Sequence, residues 1–296
     1  MNGKNSYHTS VLLQEVVTFL GVREGGRYID GTFGGGGHAA EIFRRGGIVL
    51  GIDMDQDALR YGKENFKSQI SVGKLRLVKG NFREIDKLAG ANGFANVDGI
   101  LLDLGVSSFQ LDTPGRGFSF QSPGPLDMRM DRELGVTAKD LLTVLSKGEL
   151  YELFTTFGEE RLARPIADSI VKSRRVKQIE TTEELGQIVS RVVSGGHPDI
   201  HPATRVFQAL RIAVNDELEN LRIALPKAVQ LLKENGRLCV ISFHSLEDRI
   251  VKTGFLEMEK QVLGQVVTKK PVVADEDETN RNRRARSAKL RVFERK

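Results

Sequence analysis

The chain predicts an α/β fold, a mostly parallel sheet with helices on both faces, interrupted by an all-helical insertion. Three observations carry that expectation. Between Gly26 and Val106, short aliphatic runs alternate with helix-like stretches, the pattern of strands joined by helical crossovers. Those runs are apolar up to their last residues, which suits strands buried on both sides. After Ser107 the strand pattern stops, helical patterns follow one another, and strands return at "GRLCVISF".

In chain order, "RYIDGT", "GIVLGIDMD", "KLRLVKGNF" and "VDGILLDLG" read as four strands, with "HAAEIFRR" and "QDALRYGKENFKSQ" as helices between them. The stretch "SSFQLDTPGRGFSFQSPGPLDMRMD" is rich in Gly, Pro, Ser and Phe and lacks a period, so it reads as a long ordered loop. Loops of that length are usually functional. Helical patterns follow in "TAKDLLTVL", "KGELYELFTTFG", "LARPIADSIVKSRR", "TTEELGQIVSRVV" and "PATRVFQALRIAVNDELENLRIAL". Thr181 and Glu184 make a capping box, and Pro202 suits a first helical turn after His201. "GRLCVISF", "GQVVTKKPVVA" and "AKLRVFER" close the chain as strands. One α/β domain, residues 1–113 and 216–296, is therefore interrupted by a helical domain at 114–215.

Composition narrows the function classes. The 296 residues are 40% hydrophobic and 28% charged, and no apolar run approaches the roughly 20 residues of a membrane span. The start, "MNGKNSYHTSVLLQEVV", lacks a basic patch followed by an apolar block, so a cytoplasmic location with no membrane partner is expected. Cys239 is the one cysteine, which excludes an intramolecular disulfide and a cysteine-ligated zinc. Net charge is +5, concentrated in "RNRRARSAKLRVFERK" at the end and in "KSRRVKQ" at 172–178. Phosphate-rich partners suit both clusters; a solvated face and a mobile tail are the plainer alternatives.

The glycine run in "YIDGTFGGGGH" sets the ligand question. A Walker loop needs Lys-Ser or Lys-Thr after its last glycine, where His38 and Ala39 stand here. A dinucleotide site needs an acid at the end of the next strand, and Asp53 supplies one that could accept both hydroxyls of a ribose. S-adenosylmethionine fits too: a glycine turn offers backbone to its methionine end, and Asp30 adds an acceptor near the amine and sulfonium. Asp30, Asp53, Phe82 and Asp103 recur at successive strand ends, in the order such a donor needs. A nicotinamide oxidoreductase and a methyltransferase both remain open at this point.

For a methyl donor, elimination narrows the target atom without fixing it. Methylation at a pyrimidine C5 normally needs a thiolate, and Cys239 lies mid-strand in an apolar run. Exocyclic amines and hydroxyls remain. An exocyclic amine shares its lone pair with the ring, so the enzyme must accept an N–H and align nitrogen, methyl and sulfur; Asp103 and nearby backbone carbonyls could do that.

The strings "HTSVLLQEV", "YIDGTFGGGGH", "GIDMD", "LLDLGVSSFQLDTPGRGFSF", "PLDMRMD", "HPATRVFQALRIAVNDEL", "FHSLEDRIVK" and "RARSAKLRV" together resemble the bacterial 16S ribosomal RNA cytosine-N4 methyltransferase family. The resemblance spans nearly the whole chain. It implies a class I, Rossmann-like methyltransferase domain with an inserted helical domain, S-adenosylmethionine as cofactor, and a cytidine of the decoding region as target. It implies 16S rRNA within the small ribosomal subunit as partner. Matching positions imply donor contacts at Gly36, Gly37, His38, Asp53, Phe82, Asp103 and Gln110, with Asp103 also catalytic. One departure stands out: "DLGVSS" has neither the prolines nor the aromatic that many DNA amino-methyltransferases carry after this strand's Asp. Phe109, Phe118 or Phe120 could stack on a splayed base instead, or pack the loop.

Other chemistry is weaker. His197 and His201 have helical metal spacing, but Pro198 intervenes and no third ligand is evident, so no metal is expected. "FHSLED" lacks a Gly-x-Ser-x-Gly elbow, which leaves His244 and Ser245 as pocket-lining residues, with a helix cap the alternative for Ser245. Arg116, Arg129 and Arg132 could hold RNA phosphates or pair with Asp112, Asp127 and Asp131. A non-catalytic RNA-binding assembly factor on the same scaffold remains the other class of reading.

Overall fold

The structure, a computed structural model, describes residues 10–193 and 201–296. These form two compact units, 1–107 with 218–296, and 108–217.

The first unit is built on a seven-stranded sheet. Strand β1 (Arg27–Asp30) lies between β2 (Ile48–Asp53) and β4 (Val97–Asp103), β3 (Leu75–Lys79) flanks β2, and β5 (Leu232–Ser242) flanks β4. All of these pair in parallel. Then β7 (Lys289–Arg295) enters antiparallel between β5 and the short edge strand β6 (Gly264–Val266). The order β3-β2-β1-β4-β5-β7-β6 gives the mostly parallel sheet expected from the sequence.

Alternate residues of each strand feed opposite faces, and both faces are apolar. Ile29, Leu50, Ile100, Leu102, Leu238 and Val240 pack on one side; Tyr28, Val49, Leu101, Cys239 and Ile241 pack on the other. The first face is covered by α5 (Ile85–Ala91), α12 (Glu217–Leu231) and α13 (Ser245–Lys260) through residues such as Ile85, Leu221 and Phe255. Helices α1 (Leu13–Phe19) and α2 (Gly37–Arg44) cover the second with Val16, Val17 and Ile42. Between β2 and β3 run α3 (Gln56–Asn65) and the short α4 (Lys67–Ser71).

The second unit is helical: α6 (Ser108–Asp112), α7 (Ala138–Val144), α8 (Lys147–Thr156), α9 (Ala163–Val176), α10 (Thr182–Val192) and α11 (Thr204–Asn215). Thr181 and Glu184 do form a capping box at the start of α10, and Thr137 with Asp140 and Ser146 with Glu149 repeat it on α7 and α8.

Several elements differ from the sequence expectation. The aperiodic stretch after Ser107 holds α6 and a single 3₁₀ turn at Pro114–Arg116. It is organised by Arg116, which is 1% exposed and donates to the Arg129 and Met130 carbonyls at 3.0 and 2.9 Å. The helical pattern from Pro202 is two helices, broken at Asp216 with φ +51°, a conformation Asp tolerates better than most residues. Helix α11 begins only at Thr204, so Pro202 stands in the turn before it. In "GQVVTKKPVVA" the strand stops at Val266, and pairing resumes as one bridge at Val272, beyond the donor-less Pro271. The basic C-terminus is no mobile tail. It follows the acidic α14 (Glu276–Arg281), and it forms a 3₁₀ helix at Arg283–Ser287 and then β7, which lies inside the sheet.

Candidate active site

The first four strands end side by side, and the chain after each end turns across the top of the sheet. After β1, Phe33 N–H bonds the Ile52 carbonyl at 2.9 Å, and Gly34 N–H donates to Asp53 Oδ2 at 2.6 Å. Asp53 Oδ1 accepts from Asp55 N–H at 2.8 Å. Asp53 thus holds the glycine loop in place, a structural duty the sequence did not announce.

The loop then needs glycine for space and for conformation. Gly34 and Gly36 have φ of +51° and +74°. A Cβ at Gly36 would stand 2.6 Å from Phe33 and 2.7 Å from Phe66, and one at Gly31 would stand 2.5 Å from Leu102. Phe33 and Phe66 are edge-to-face neighbours, so neither ring has room to give. The result is a bare backbone wall leading into the N-terminus of α2, where Gly37 and His38 are the first helical residues.

His38 is 4% exposed, and its Nε2 lies 3.1 Å from the Val11 carbonyl. A carbonyl only accepts, so Nε2 carries the hydrogen. The other nitrogen, Nδ1, faces Asp103 Oδ2 at 3.6 Å. A neutral imidazole would then present a lone pair to a carboxylate. A proton on Asp103, whose burial favours the neutral acid, removes that conflict. Thr32 fixes the same corner: its hydroxyl accepts from Asp103 N–H at 2.6 Å, and its own N–H donates to Asp30 Oδ1 at 3.2 Å.

The acids here are electrostatically strained. Burial, opposed by the Thr32 N–H and reinforced by the Asp53 charge, pushes Asp30 up to about 7 from an ordinary 3.8. Asp103 is pushed well above the usual carboxylate range, by burial first and then by the charges of Asp30 and Glu247. Among the described residues Asp103 Oδ1 is out of solvent and has no hydrogen-bond partner. A buried acceptor left this way costs about 1–3 kcal/mol, so the site is made for a ligand donor or cation to meet.

Phe82 opens the one-turn helix after β3, and its Cβ lies 3.5 Å from where a Cβ on Gly31 would be, so it stands beside the glycine turn. Gly36, Gly37, His38, Asp53, Phe82 and Asp103 therefore converge in the first unit. Gln110 lies in the second unit, on α6, where it is buried. An electrophile with a cationic sulfonium and amine fits the acids, and a ligand needing close backbone fits the glycine wall.

Glu247 was missed by sequence reasoning. It is 2% exposed, accepts from Phe243 N–H at 2.8 Å and acts on Asp103 through its charge. Its signal was the spacing in "FHSLED": His244 caps α13 and forms a capping box with Glu247. The cap is thus His244, and Ser245 is the first helical residue. Burial pushes the Cys239 thiol far up, which suits inert packing.

Several sequence candidates are otherwise engaged. Arg116 is buried, and Arg129 makes a bidentate pair with Asp127 at 2.8 Å on each arm, so neither offers a free cation to phosphate. Phe118 is buried, and Phe120 stacks on His201 at 4.2 Å and meets Phe207 edge-on. Phe109 is half-buried on α6. His201 Nδ1 accepts from Ala203 N–H at 3.2 Å; His197 and His8 lie outside the described residues. Of the basic clusters, Arg291 and Lys289 pair with Asp248, while Lys172 pairs with Asp168 and Lys177 with Glu184. No helix among the described residues is long and apolar enough to cross a membrane.

Comparison with known proteins bears on the chemistry. A model of the MraW methylase family matches residues 5–296. A protein named ribosomal RNA small subunit methyltransferase H from Coprothermobacter proteolyticus is 46% identical over 289 residues, covering 97% of this chain and 95% of its own. One of the same name from Desulfotalea psychrophila is 47% identical over 292 residues, 97% of each chain. Among solved structures, an rRNA methylase from Streptococcus thermophilus aligns over 97% of both chains at 9% identity with a TM-score of 0.45. On the family match and on the identity to these curated relatives, the chain belongs to the MraW methylase family.

Proposed function

We propose that the protein methylates the N4 exocyclic amine of a cytidine in the decoding region of 16S ribosomal RNA, and that it acts on the RNA within the small ribosomal subunit, in the cytoplasm. Membership of a methylase family displaces the nicotinamide-oxidoreductase and non-catalytic readings. The methyl donor is S-adenosylmethionine, which supplies an electrophilic methyl group on a sulfonium. The relatives' name supports ribosomal RNA of the small subunit as substrate.

The observation that carries the amine reading is the partnerless Asp103 Oδ1 at the end of β4. An exocyclic amine brings an N–H to such an oxygen, and accepting it turns nitrogen density toward the electrophile. Most of the gain comes from holding the nitrogen in line, where orientation contributes several kcal/mol. The bound cationic donor favours the ionised form of Asp103, which can then take the proton that the methylated amine must lose. The glycine loop, Asp30, Asp53 and Phe82, all of the first unit, hold the donor. With no thiolate available, C5 chemistry is disfavoured.

Transfer of a tritiated methyl group to unmethylated small subunits and to free 16S RNA, with base analysis of the product, tests the reading. N4-methylcytosine from subunits is the expected product. Label on any other atom sinks the proposed reaction, and equal label on free RNA sinks the subunit as substrate.

A further inference from the structure

At the opposite end of the sheet from the glycine loop lies a groove of about 730 Å³ to which the site above makes no claim. It sits where β1, β2 and β3 begin, beneath the free edge of β3, with Leu75 and Leu77 in its floor. Its charge is one-sided. Arg27, Lys63, Lys67 and Arg76 line it, and no aspartate or glutamate does.

Nothing described neutralises these cations. The Arg27 guanidinium lies 4.5 Å above the Phe94 ring and donates to the Gly93 carbonyl. Arg76 donates to the Asn92 carbonyl at 3.0 Å. Both are held in place by neutral acceptors, so their charge is oriented but not cancelled. Lys63, in the last turn of α3, and Lys67, on α4, are exposed and have no ion pair among the described residues. The basic residues most conspicuous in the sequence, Lys289 and Arg291, are by contrast spent on Asp248.

We propose that this groove binds the phosphodiester backbone of the RNA substrate, as a docking site separate from the methyl-transfer centre. Four cations carried on separate segments suit a series of single negative charges better than one compact anion. Guanidiniums held by neutral carbonyls, with two exposed ammonium groups beside them, give position and reach together. Affinity gained here is electrostatic and independent of base sequence, so it retains a large RNA while the catalytic end selects its base. The inference rests on the reading of ribosomal RNA as substrate.

The test uses the full chain and unmethylated small ribosomal subunits, with Kd measured by filter binding at several salt concentrations. For Lys63→Gln with Lys67→Gln, weaker binding at low salt is expected. The slope of log affinity against log salt should shrink by about 0.7–0.9 per lost contact. Affinity for S-adenosylmethionine should be unchanged, because neither lysine belongs to the donor site. An unchanged slope overturns the groove. So does an equal change from Lys260→Gln, an exposed lysine outside the groove, since that would reflect general charge alone. If the wild-type chain binds no small subunits, the substrate reading fails first; if it binds and methylates them while the lysine variants match it, only the groove fails.

Discussion

Asp103 and Asp30 are buried acids that the fold holds at a cost in stability, and the roles proposed for them can be tested one residue at a time. For Asp103→Ala, kcat should fall by about 10²–10⁴-fold, with the far-ultraviolet circular dichroism of the fold retained; near-normal turnover would remove Asp103 from the chemistry. Asp30 gives a pH dependence of definite sign. Its folded-state value, about 7, lies above the ordinary 3.8, so the folded protein prefers the protonated acid. Stability is unaffected near pH 4 and falls as pH rises from about 4 to about 7, by at most on the order of 4 kcal/mol. Asp30→Asn should therefore raise the urea midpoint at pH 8 and leave it unchanged near pH 4. The same substitution should weaken S-adenosylmethionine binding, because a cationic ligand is what makes ionised Asp30 favourable. In the wild type, donor affinity should increase between pH 6 and pH 8 with release of a proton, which calorimetry in buffers of different ionisation enthalpy detects; pH-independent affinity would take Asp30 out of the donor site.

At the scale of elements, the glycine loop is defined by what surrounds it. Gly36→Ala adds a methyl 2.6 Å from the Phe33 ring at a φ of +74°. Strain and overpacking should each cost about 1–3 kcal/mol, and S-adenosylmethionine affinity should drop at least about tenfold because the loop can no longer hold its path. Thermal melting and donor titration of the variant check both; a variant with normal affinity would show that the loop does not shape the donor site. The strands that flank this loop were legible from their apolar runs, since period-2 burial on both faces leaves a plain mark. Other elements were not. The break at Asp216 interrupts a helical pattern without a glycine or proline, and it accompanies Asn215, whose side chain bonds Met128 and Met130 of the same unit. Arg116 read as a cation for RNA phosphate or for an ion pair with a nearby Asp, yet it is buried and donates to the carbonyls of residues 13 and 14 positions away. A single sequence does not encode which charges will be spent inside.

For the whole molecule, ligand choice is the sharpest check. S-adenosylmethionine at about 100 times its Kd should stabilise the unit that binds it by about 2.7 kcal/mol, raising Tm by roughly 5–10 °C, while NAD should leave it unmoved. A shift with NAD and none with the donor would contradict the site. Net charge of +5 also takes on a different meaning in three dimensions. The basic run at the C-terminus becomes a strand within the sheet, whereas Lys63, Lys67, Arg27 and Arg76, unremarkable and far apart in sequence, share one groove without an acid.

The sequence by itself determined the alternating architecture, the order of acids at the strand ends and the glycine turn, because burial periodicity and backbone conformation are local and leave local signatures. Only the tertiary structure decided what those acids are. It took the folded chain to bring His38 against Asp103, to place the charge of Glu247 beside them, and to leave one carboxylate oxygen buried without a partner. Proton affinity depends on desolvation and on neighbours distant in sequence, and neither exists until the sheet has formed.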